Sequence, residues 1–217
     1  MGHETAGPLA ARVRELLDHA QDGVVPIVRA GEPVLRRRAP AYRGELDAGL
    51  LNDLIASMFA TMRAAPGVGL AAPQIGLPLA LAVIEDPGAA DPDVAQTRER
   101  YPVAPMVLVN PRYEPVDTDV AEFYEGCLSI PGWVAVRRRR RTVRLRAETL
   151  DGTSTVATTS GWLARIVQHE TDHLAGELFL DRAEPRSLAH ESLAARWAGP
   201  ADPTLAAEAL GFDLSGP

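Results

Sequence analysis

The feature that most constrains this chain is the segment at residues 168–173, with the sequence QHETDH. On a helix of about 3.6 residues per turn, residues four apart lie on the same side. His169 and His173 can therefore bind one divalent cation, and Glu170 lies where its carboxylate can reach a water on that cation. The alternative is a pair of surface histidines, and a third ligand elsewhere in the chain would decide against it.

Cys127 is the candidate for that third ligand. It lies in the segment EGCLS, directly after a predicted strand, where a turn can present a thiolate. A lone cysteine is more often a small core residue, which is the alternative here. One cysteine and two histidines leave a tetrahedral position open for water, as catalytic rather than structural metal sites do.

Composition and charge exclude several classes of protein. The chain has 217 residues, 46% of them hydrophobic, and a formal net charge of −7. Such a chain suits one domain with its own core and disfavours a protein that coats nucleic acid. No apolar run reaches the roughly 20 residues that cross a bilayer, no secretory signal is visible at the start, and one cysteine allows no internal disulfide. We expect a cytoplasmic protein without membrane contact or sequence-specific nucleic-acid binding.

Hydrophobic periodicity predicts an α+β fold. Helical spacing marks residues 8–19, 46–65 and 186–197, and the metal motif predicts a further helix between Gly161 and Gly176. Strands are predicted at residues 79–84, 106–110, 121–124, 134–136, 142–150 and 153–158, with extended pieces at 24–28 and 33–35. Residues 85–105 are predicted to form a surface excursion, and the tail from residue 199 to be loosely attached. Because strands and helices do not alternate, we expect antiparallel sheets.

A glycine-rich loop with the sequence GVGLAAPQIG spans residues 67–76. It lacks the Gly-Lys-Ser/Thr of a phosphate-binding loop, and it precedes a strand rather than following one. Its glycines and small residues allow another chain or a ligand to approach the backbone closely. Gln74 is either a turn residue or an uncharged donor to an oxyanion, and the sequence leaves both open.

Together, these three segments resemble the peptide deformylase family. The motifs of that family are G-x-G-L-A-A-x-Q, E-G-C-L-S and Q-H-E-x-D-H-L-x-G, and they occur here in that order at residues 67–74, 125–129 and 168–176. The resemblance covers roughly residues 28–182. It implies antiparallel sheets around a central metal-bearing helix, followed by a C-terminal helix. It also implies hydrolysis of the formyl group from the N-terminal formylmethionine of nascent polypeptides, with release of formate.

The resemblance also implies the roles of individual residues. The implied metal ligands are Cys127, His169 and His173, with Fe²⁺ as the native ion and Zn²⁺ or Ni²⁺ able to replace it. The implied catalytic groups are Glu170 as general acid and base, with Gln74 and the backbone N–H of Leu128 as oxyanion donors. The implied substrate-binding residues are Gly69, Val68, Glu125 and Trp162; Trp162 could equally be an ordinary core residue. We expect a single catalytic domain over residues 1–217, with the N-terminal helix and residues 186–217 flanking the family-like core.

Some positions leave questions open. This chain departs from the resemblance at Val134, where many family members carry an arginine that is linked to substrate contact. An ungapped extension of the resemblance places Arg139 as the usual partner of Glu125. Asp172 is either a residue that orients a ligating histidine or a helix-surface charge.

Five consecutive arginines at residues 137–141 are unusual in an acidic chain. We predict a solvated strand and turn there. The alternative is contact with an acidic nascent chain or with ribosomal RNA near the exit tunnel, since phosphate contacts bind arginine without regard to sequence.

Two other functions compete with deformylation. A zincin-type metallopeptidase shares the helix motif but takes a downstream ligand, for which Glu177 or Glu191 could be offered. A ribosome-associated metal protein without turnover is the non-enzymatic alternative. Cys127 and its surrounding turn favour the deformylase.

Overall fold

A computed structural model describes residues 7–214. The expectations for residues 1–6 and 215–217 lie outside the described residues. The α-helices of the described range are α1 (Pro8–Asp18), α2 (Ala48–Ala64), α3 (Pro92–Arg98), α4 (Gly161–Ala175), α5 (Glu191–Trp197) and α6 (Thr204–Leu210). The strands are β1 (Gly69–Ala71), β2 (Leu81–Asp86), β3 (Val103–Pro115), β4 (Val120–Cys127), β5 (Ile130–Arg140), β6 (Thr142–Glu148), β7 (Ser154–Ser160) and β8 (Ala189–His190).

The strands form two antiparallel sheets. The larger sheet has the order β1-β2-β3-β6-β7, and the smaller has the order β4-β5-β8. Helix α4 contacts strands of both sheets. The predicted α+β fold, with antiparallel sheets around a central helix, is therefore confirmed.

Strand β2 of the larger sheet is apolar on both of its faces. Leu81 and Val83 pack with α1 and α2 on one face, whereas Ala82 and Ile84 pack with α4 on the other. Asp47 is the N-cap of helix α2, and its side chain accepts a hydrogen bond from the Leu50 N–H. The larger sheet thus holds α4 in place from one side, and the smaller sheet covers it from the other.

Two predicted segments differ in the structure. Residues 33–35 are not extended, because Pro33–Arg36 forms a short 3₁₀ turn. The expected surface excursion at residues 85–105 contains the helix α3 and the start of β3. Asp91 caps α3, and its side chain accepts from two backbone N–H groups. The sequence did not predict this helix because it lacks the apolar stripe that marks an amphipathic helix. The helix has the Asp91 cap at its start and the buried Arg98 at its end.

The C-terminal region corrects two further predictions. A helix was expected over residues 186–197, but residues 189–190 form β8 and the helix α5 begins only at Glu191. The tail from residue 199 is not loosely attached as far as residue 214. The carbonyls of Pro200 and Ala201 accept hydrogen bonds of 2.6 and 2.9 Å from the Arg98 guanidinium. Ala206, Ala207 and Phe212 are buried against β4 and β5.

No helix within residues 7–214 combines the length and the apolar character that a membrane span requires.

Candidate metal centre

Three soft or borderline donors converge between α4 and the end of β4. The ligand atoms of Cys127, His169 and His173 all lie within 4.8 Å of one another. The Sγ of Cys127 is 3.3 Å from the Nε2 of His173. The strand pairing is irregular between Gly126 and Cys127, and this irregularity places the thiol opposite the helix. The structure therefore brings together the three residues that the sequence predicted as ligands.

Glu125 sets the orientation of His169. The Nδ1 of His169 lies 3.0 Å from a carboxylate oxygen of Glu125, so the Nε2 of the ring is left for the donor cluster. Arg139 donates to both oxygens of Glu125 at 2.6 and 2.9 Å, and Arg165 donates to one of them at 2.6 Å. Burial alone would raise the pKa of Glu125, but Arg139, the His169 hydrogen bond and Arg165 hold that pKa well below its usual range.

The buried hydrogen-bond network extends from Arg139 to Asp172 on α4. Asp172 accepts a hydrogen bond of 2.7 Å from Arg139 and one of 2.8 Å from the hydroxyl of Tyr113. It is only 7% exposed, so it is not a helix-surface charge. Its hydrogen bonds go to Arg139 and Tyr113 rather than to a histidine, and it reaches His169 only through Arg139 and Glu125.

Glu170 lies beside the donor cluster and is buried. A Cβ at Gly69 would collide with its carboxylate and would lie 2.6 Å from its Cδ, so glycine is required there for Glu170 to occupy its position. The Oε2 of Glu170 has no hydrogen-bond partner within the described chain. Burial raises the pKa of this carboxyl to about 7. An unpartnered buried carboxylate beside three metal donors fits a site that holds a cation and a water molecule.

Gln74 is a fixed donor rather than a simple turn residue. Its Oε1 accepts a hydrogen bond of 2.8 Å from the Ala71 N–H, which directs its Nε2 toward the thiol of Cys127 at 3.6 Å. The same nitrogen lies 3.4 Å from the hydroxyl of Ser129. The side chain is 1% exposed, so the amide is held in one orientation.

A cavity of about 540 Å³ opens from this cluster to the surface. All the predicted substrate-binding residues line it, and so do Gln74 and Leu128. Trp162 contributes its ring to the wall and packs against Phe123 with ring centroids 5.9 Å apart. Glu177 lies elsewhere, paired with Arg137 at 2.7 Å, so it is not placed as a ligand for a zincin-type site.

The model of the polypeptide deformylase family matches residues 24–189 of this chain. The chain belongs to the peptide deformylase family. It is 54% identical over 211 residues to peptide deformylase 1 of Streptomyces coelicolor, covering 97% of this chain and 95% of that one. It is 50% identical over 195 residues to peptide deformylase 1 of Bifidobacterium longum, covering 89% of each.

Solved structures of peptide deformylases share the fold. The Met-Ala-Ser-bound class I type b enzyme of Acinetobacter baumannii aligns with a TM-score of 0.66 at 32% identity, covering 73% of this chain and 98% of that one. The Thermotoga maritima enzyme aligns with a TM-score of 0.62 at 32% identity, covering 74% and 97%. The function of this metal-dependent family, and hence of this chain, is hydrolytic removal of the N-formyl group from N-formylmethionine in protein biosynthesis.

The arginine run is only in part the solvated strand that we predicted, because two of its side chains are buried. Arg137 and Arg139 are 5% and 4% exposed, because alternation along β5 turns them toward α4. Arg138 pairs with Glu122 at 2.9 Å and Arg141 with Glu99 at 2.7 Å. The run is therefore divided: Arg137 and Arg139 pair with carboxylates in the interior, whereas Arg138 and Arg141 form exposed ion pairs.

Sequence reasoning missed Arg165. This residue lies four positions before His169, on the same face of α4, and its charge is fully engaged with Glu125 and with the carbonyls of Arg137 and Ala121. A charged residue at that spacing within an apolar helix face is the signal that could have revealed it.

Proposed function

We propose that Cys127, His169 and His173 hold one divalent ion for deformylation, with Fe²⁺ as the native ion and Zn²⁺ or Ni²⁺ able to replace it. The convergence of the three donor atoms within 4.8 Å is the observation that carries this proposal. A thiolate with two imidazoles suits these borderline and sulfur-tolerant metals better than Mg²⁺ or Ca²⁺. When bound, such an ion polarises a carbonyl and lowers the pKa of a coordinated water.

Glu170 is the group that moves the proton. Its free Oε2 can take a proton from the attacking water as that oxygen bonds to the formyl carbon. The same carboxyl then gives the proton to the amine nitrogen as the C–N bond breaks, so that formate and a free N-terminus leave. Burial keeps bulk water away from this exchange.

Gln74 and the backbone N–H of Leu128 stabilise the charge that develops on the formyl oxygen. The amide of Gln74 is already oriented by Ala71, so it needs no reorganisation during the reaction. Loss of one such donor typically lowers kcat by about 10²–10³.

The peptide binds as an extended strand beside the backbone of Gly69. Val68 and Trp162 offer the apolar wall for the methionine side chain, and both line the cavity. Glu125 was predicted among the substrate-binding residues, and it also lines the cavity. However, its carboxylate oxygens are hydrogen-bonded to His169 and to two arginines. We therefore infer that it acts on the substrate through His169.

We also propose the domain extent, the compartment and the partner of this chain. One catalytic domain spans residues 1–217, it works in the cytoplasm, and it meets nascent chains at the ribosome near the exit tunnel. The nature of the substrate supports this setting, because formylmethionine begins nascent polypeptides.

The test is formate release from formyl-Met-Ala-Ser by protein purified without oxygen, alongside metal analysis of the same sample. We expect formate, about one ion per chain and no cleavage of an unformylated peptide. Cleavage of internal peptide bonds without formate release would instead indicate a metallopeptidase, and a bound ion without either activity would indicate a non-catalytic protein.

A further inference from the structure

Residues 28–30 tie together the two segments that carry the proposed oxyanion donors. The Val28 N–H donates a hydrogen bond of 2.8 Å to the carbonyl of Gln74, in the glycine-rich loop. Two residues later, the Ala30 N–H donates a hydrogen bond of 2.8 Å to the carbonyl of Ser129. One short piece of chain therefore sets how far the loop lies from the turn that follows β4.

Arg29, the residue between these two contacts, reaches the same turn with its side chain. Leu128 and Ser129 form the two-residue turn between β4 and β5. The Nη1 of Arg29 donates a hydrogen bond of 2.7 Å to the Leu128 carbonyl. Because the donor is charged, this bond is stronger than a bond between two neutral groups. The carbonyls of both turn residues are thus held by neighbouring residues of one segment.

Leu128 is also held through its side chain. A Cβ at Gly67 would lie 2.8 Å from the Cδ1 of Leu128, so the leucine packs directly against the glycine-rich loop. The same loop carries Gln74, whose amide is already oriented by the Ala71 N–H. The position of Leu128 relative to Gln74 is therefore set by its packing on the loop and by its hydrogen bond to Arg29.

We propose that Arg29 is a positioning residue of the reaction, which holds the Leu128 N–H at the correct distance from the Nε2 of Gln74. Two donors act on one developing charge only if both lie about 2.7–3.1 Å from the same oxygen. Arg29 is exposed and lies outside the cavity lining, so it acts through the turn and not on the peptide. The inference rests on the proposed function, because it assumes that the Leu128 N–H is an oxyanion donor.

The expected effect is a partial loss of transition-state stabilisation. Complete loss of one oxyanion donor lowers kcat by about 10²–10³, so displacement of a donor that is still present should cost less, about tenfold. KM should stay within about twofold, since loss of an interaction made only in the transition state lowers kcat and kcat/KM equally. The hydrogen bond of Arg29 goes to the turn rather than to a metal donor, so the metal content should not change.

The experiment measures kcat and KM for formyl-Met-Ala-Ser, metal content and amide hydrogen exchange, all on metal-loaded protein purified without oxygen. The proteins are the wild type, Arg29→Ala, Arg29→Lys and the control Arg186→Ala. Arg186 is also exposed, and its side chain also donates to a backbone carbonyl, that of Leu210 in α6 at 3.2 Å. The control therefore removes the same charge and the same kind of contact at a different place.

We expect Arg29→Ala to lower kcat by about tenfold, with KM within about twofold of the wild-type value. Arg29→Lys keeps a charged donor and should retain kcat within about threefold of the wild type, whereas Arg186→Ala should match it. Amides of residues 127–130 should exchange faster in Arg29→Ala, while those of α4 keep their wild-type protection.

A wild-type kcat in Arg29→Ala, an equal fall in the control or unchanged exchange in the turn overturns the inference. A rise in KM at constant kcat, or a loss of metal, also overturns it, because Arg29 would then act on peptide binding or on the ion. Each of these results leaves formate release by the wild type, and hence the proposed function, intact. A wild type that releases no formate overturns the proposed function, and the inference falls with it.

Discussion

The two faces of the smaller sheet come from the same two strands but have opposite chemistry. On the face toward α4, alternate residues of β4 and β5 include Glu125, Arg137 and Arg139, all buried and all charged. On the opposite face, Tyr124 and Val136 pack with an apolar cluster from the C-terminal segment. One face thus orients a metal ligand, and the other attaches the tail.

The difference shows where this protein tolerates change. A buried charge costs several kcal/mol unless its partners are in place, so removal of one member of the charged face affects all the others. An apolar face responds to lost volume and accepts changes of similar size. We therefore expect substitutions on the face toward α4 to alter metal binding and catalysis, and substitutions on the opposite face to alter stability alone.

The largest effect is expected on the α4 side, from Glu170→Ala. Loss of the proton carrier should lower kcat by about 10³–10⁴, while the three donors retain the ion. Formate release and metal content, measured on the same sample, check this. A variant with the wild-type rate would refute the role of Glu170, and a variant without metal would show that Glu170 supports the ion instead.

The next largest effect is expected from Glu125→Gln, on the charged face. Two buried guanidinium groups would lose their shared carboxylate, which should cost about 3–5 kcal/mol of unfolding free energy. Metal affinity should fall about 10–100-fold, because His169 loses the partner that orients it. Urea unfolding and competition with a chelator measure the two effects.

Arg138→Gln is the matched control in the neighbouring strand. Arg138 is 56% exposed and pairs with Glu122, so the change should cost at most about 1 kcal/mol and leave metal affinity unchanged. If both variants lost metal equally, the distinction between buried and exposed charges would fail.

On the apolar face, Phe212→Ala should lower the unfolding free energy by about 3 kcal/mol. Phe212 is 8% exposed and lies in the cluster that covers β4 and β5. We expect kcat/KM per folded molecule to stay within about twofold of the wild type, which corresponds to less than about 0.5 kcal/mol of activation free energy. A much larger loss of activity would show that this face also positions the active site.

The smallest effect is expected from Tyr124→Phe, also on the apolar face. The hydroxyl of Tyr124 is buried and has no hydrogen-bond partner among the residues that the structure describes, so its removal should raise stability by up to about 1 kcal/mol. Denaturant unfolding at neutral pH measures this change. A loss of stability would indicate that the hydroxyl has a partner.

Tyr124 also predicts a pH dependence. Burial raises the pKa of Tyr124 from 10.0 to about 12. Because the phenol ionises more readily in the unfolded chain, the stability of the fold is unaffected below the ordinary pKa and falls as the pH rises from there through the raised one. The wild type should therefore lose more stability than Tyr124→Phe over this alkaline range.

The local patterns predicted part of the fold accurately. The alternation at residues 143–147 is confirmed, with Val143, Leu145 and Ala147 buried and the two arginines between them exposed. The helix α4 and its end at Gly176 are also confirmed. The strand β8 was missed because two residues carry no periodicity, and its pairing depends on the position of β5.

The sequence by itself determined the reacting groups: the spacing of His169 and His173, the carboxylate of Glu170 between them, the lone thiol of Cys127 and the glycine loop with Gln74. Only the tertiary structure decided which charges are buried and which carboxylate orients His169. The reason is physical. Spacing within a helix or strand is set by local backbone geometry. The partners of Arg139 and Arg165 depend instead on the register between strands and on the packing of α4, which bring together residues far apart in the chain.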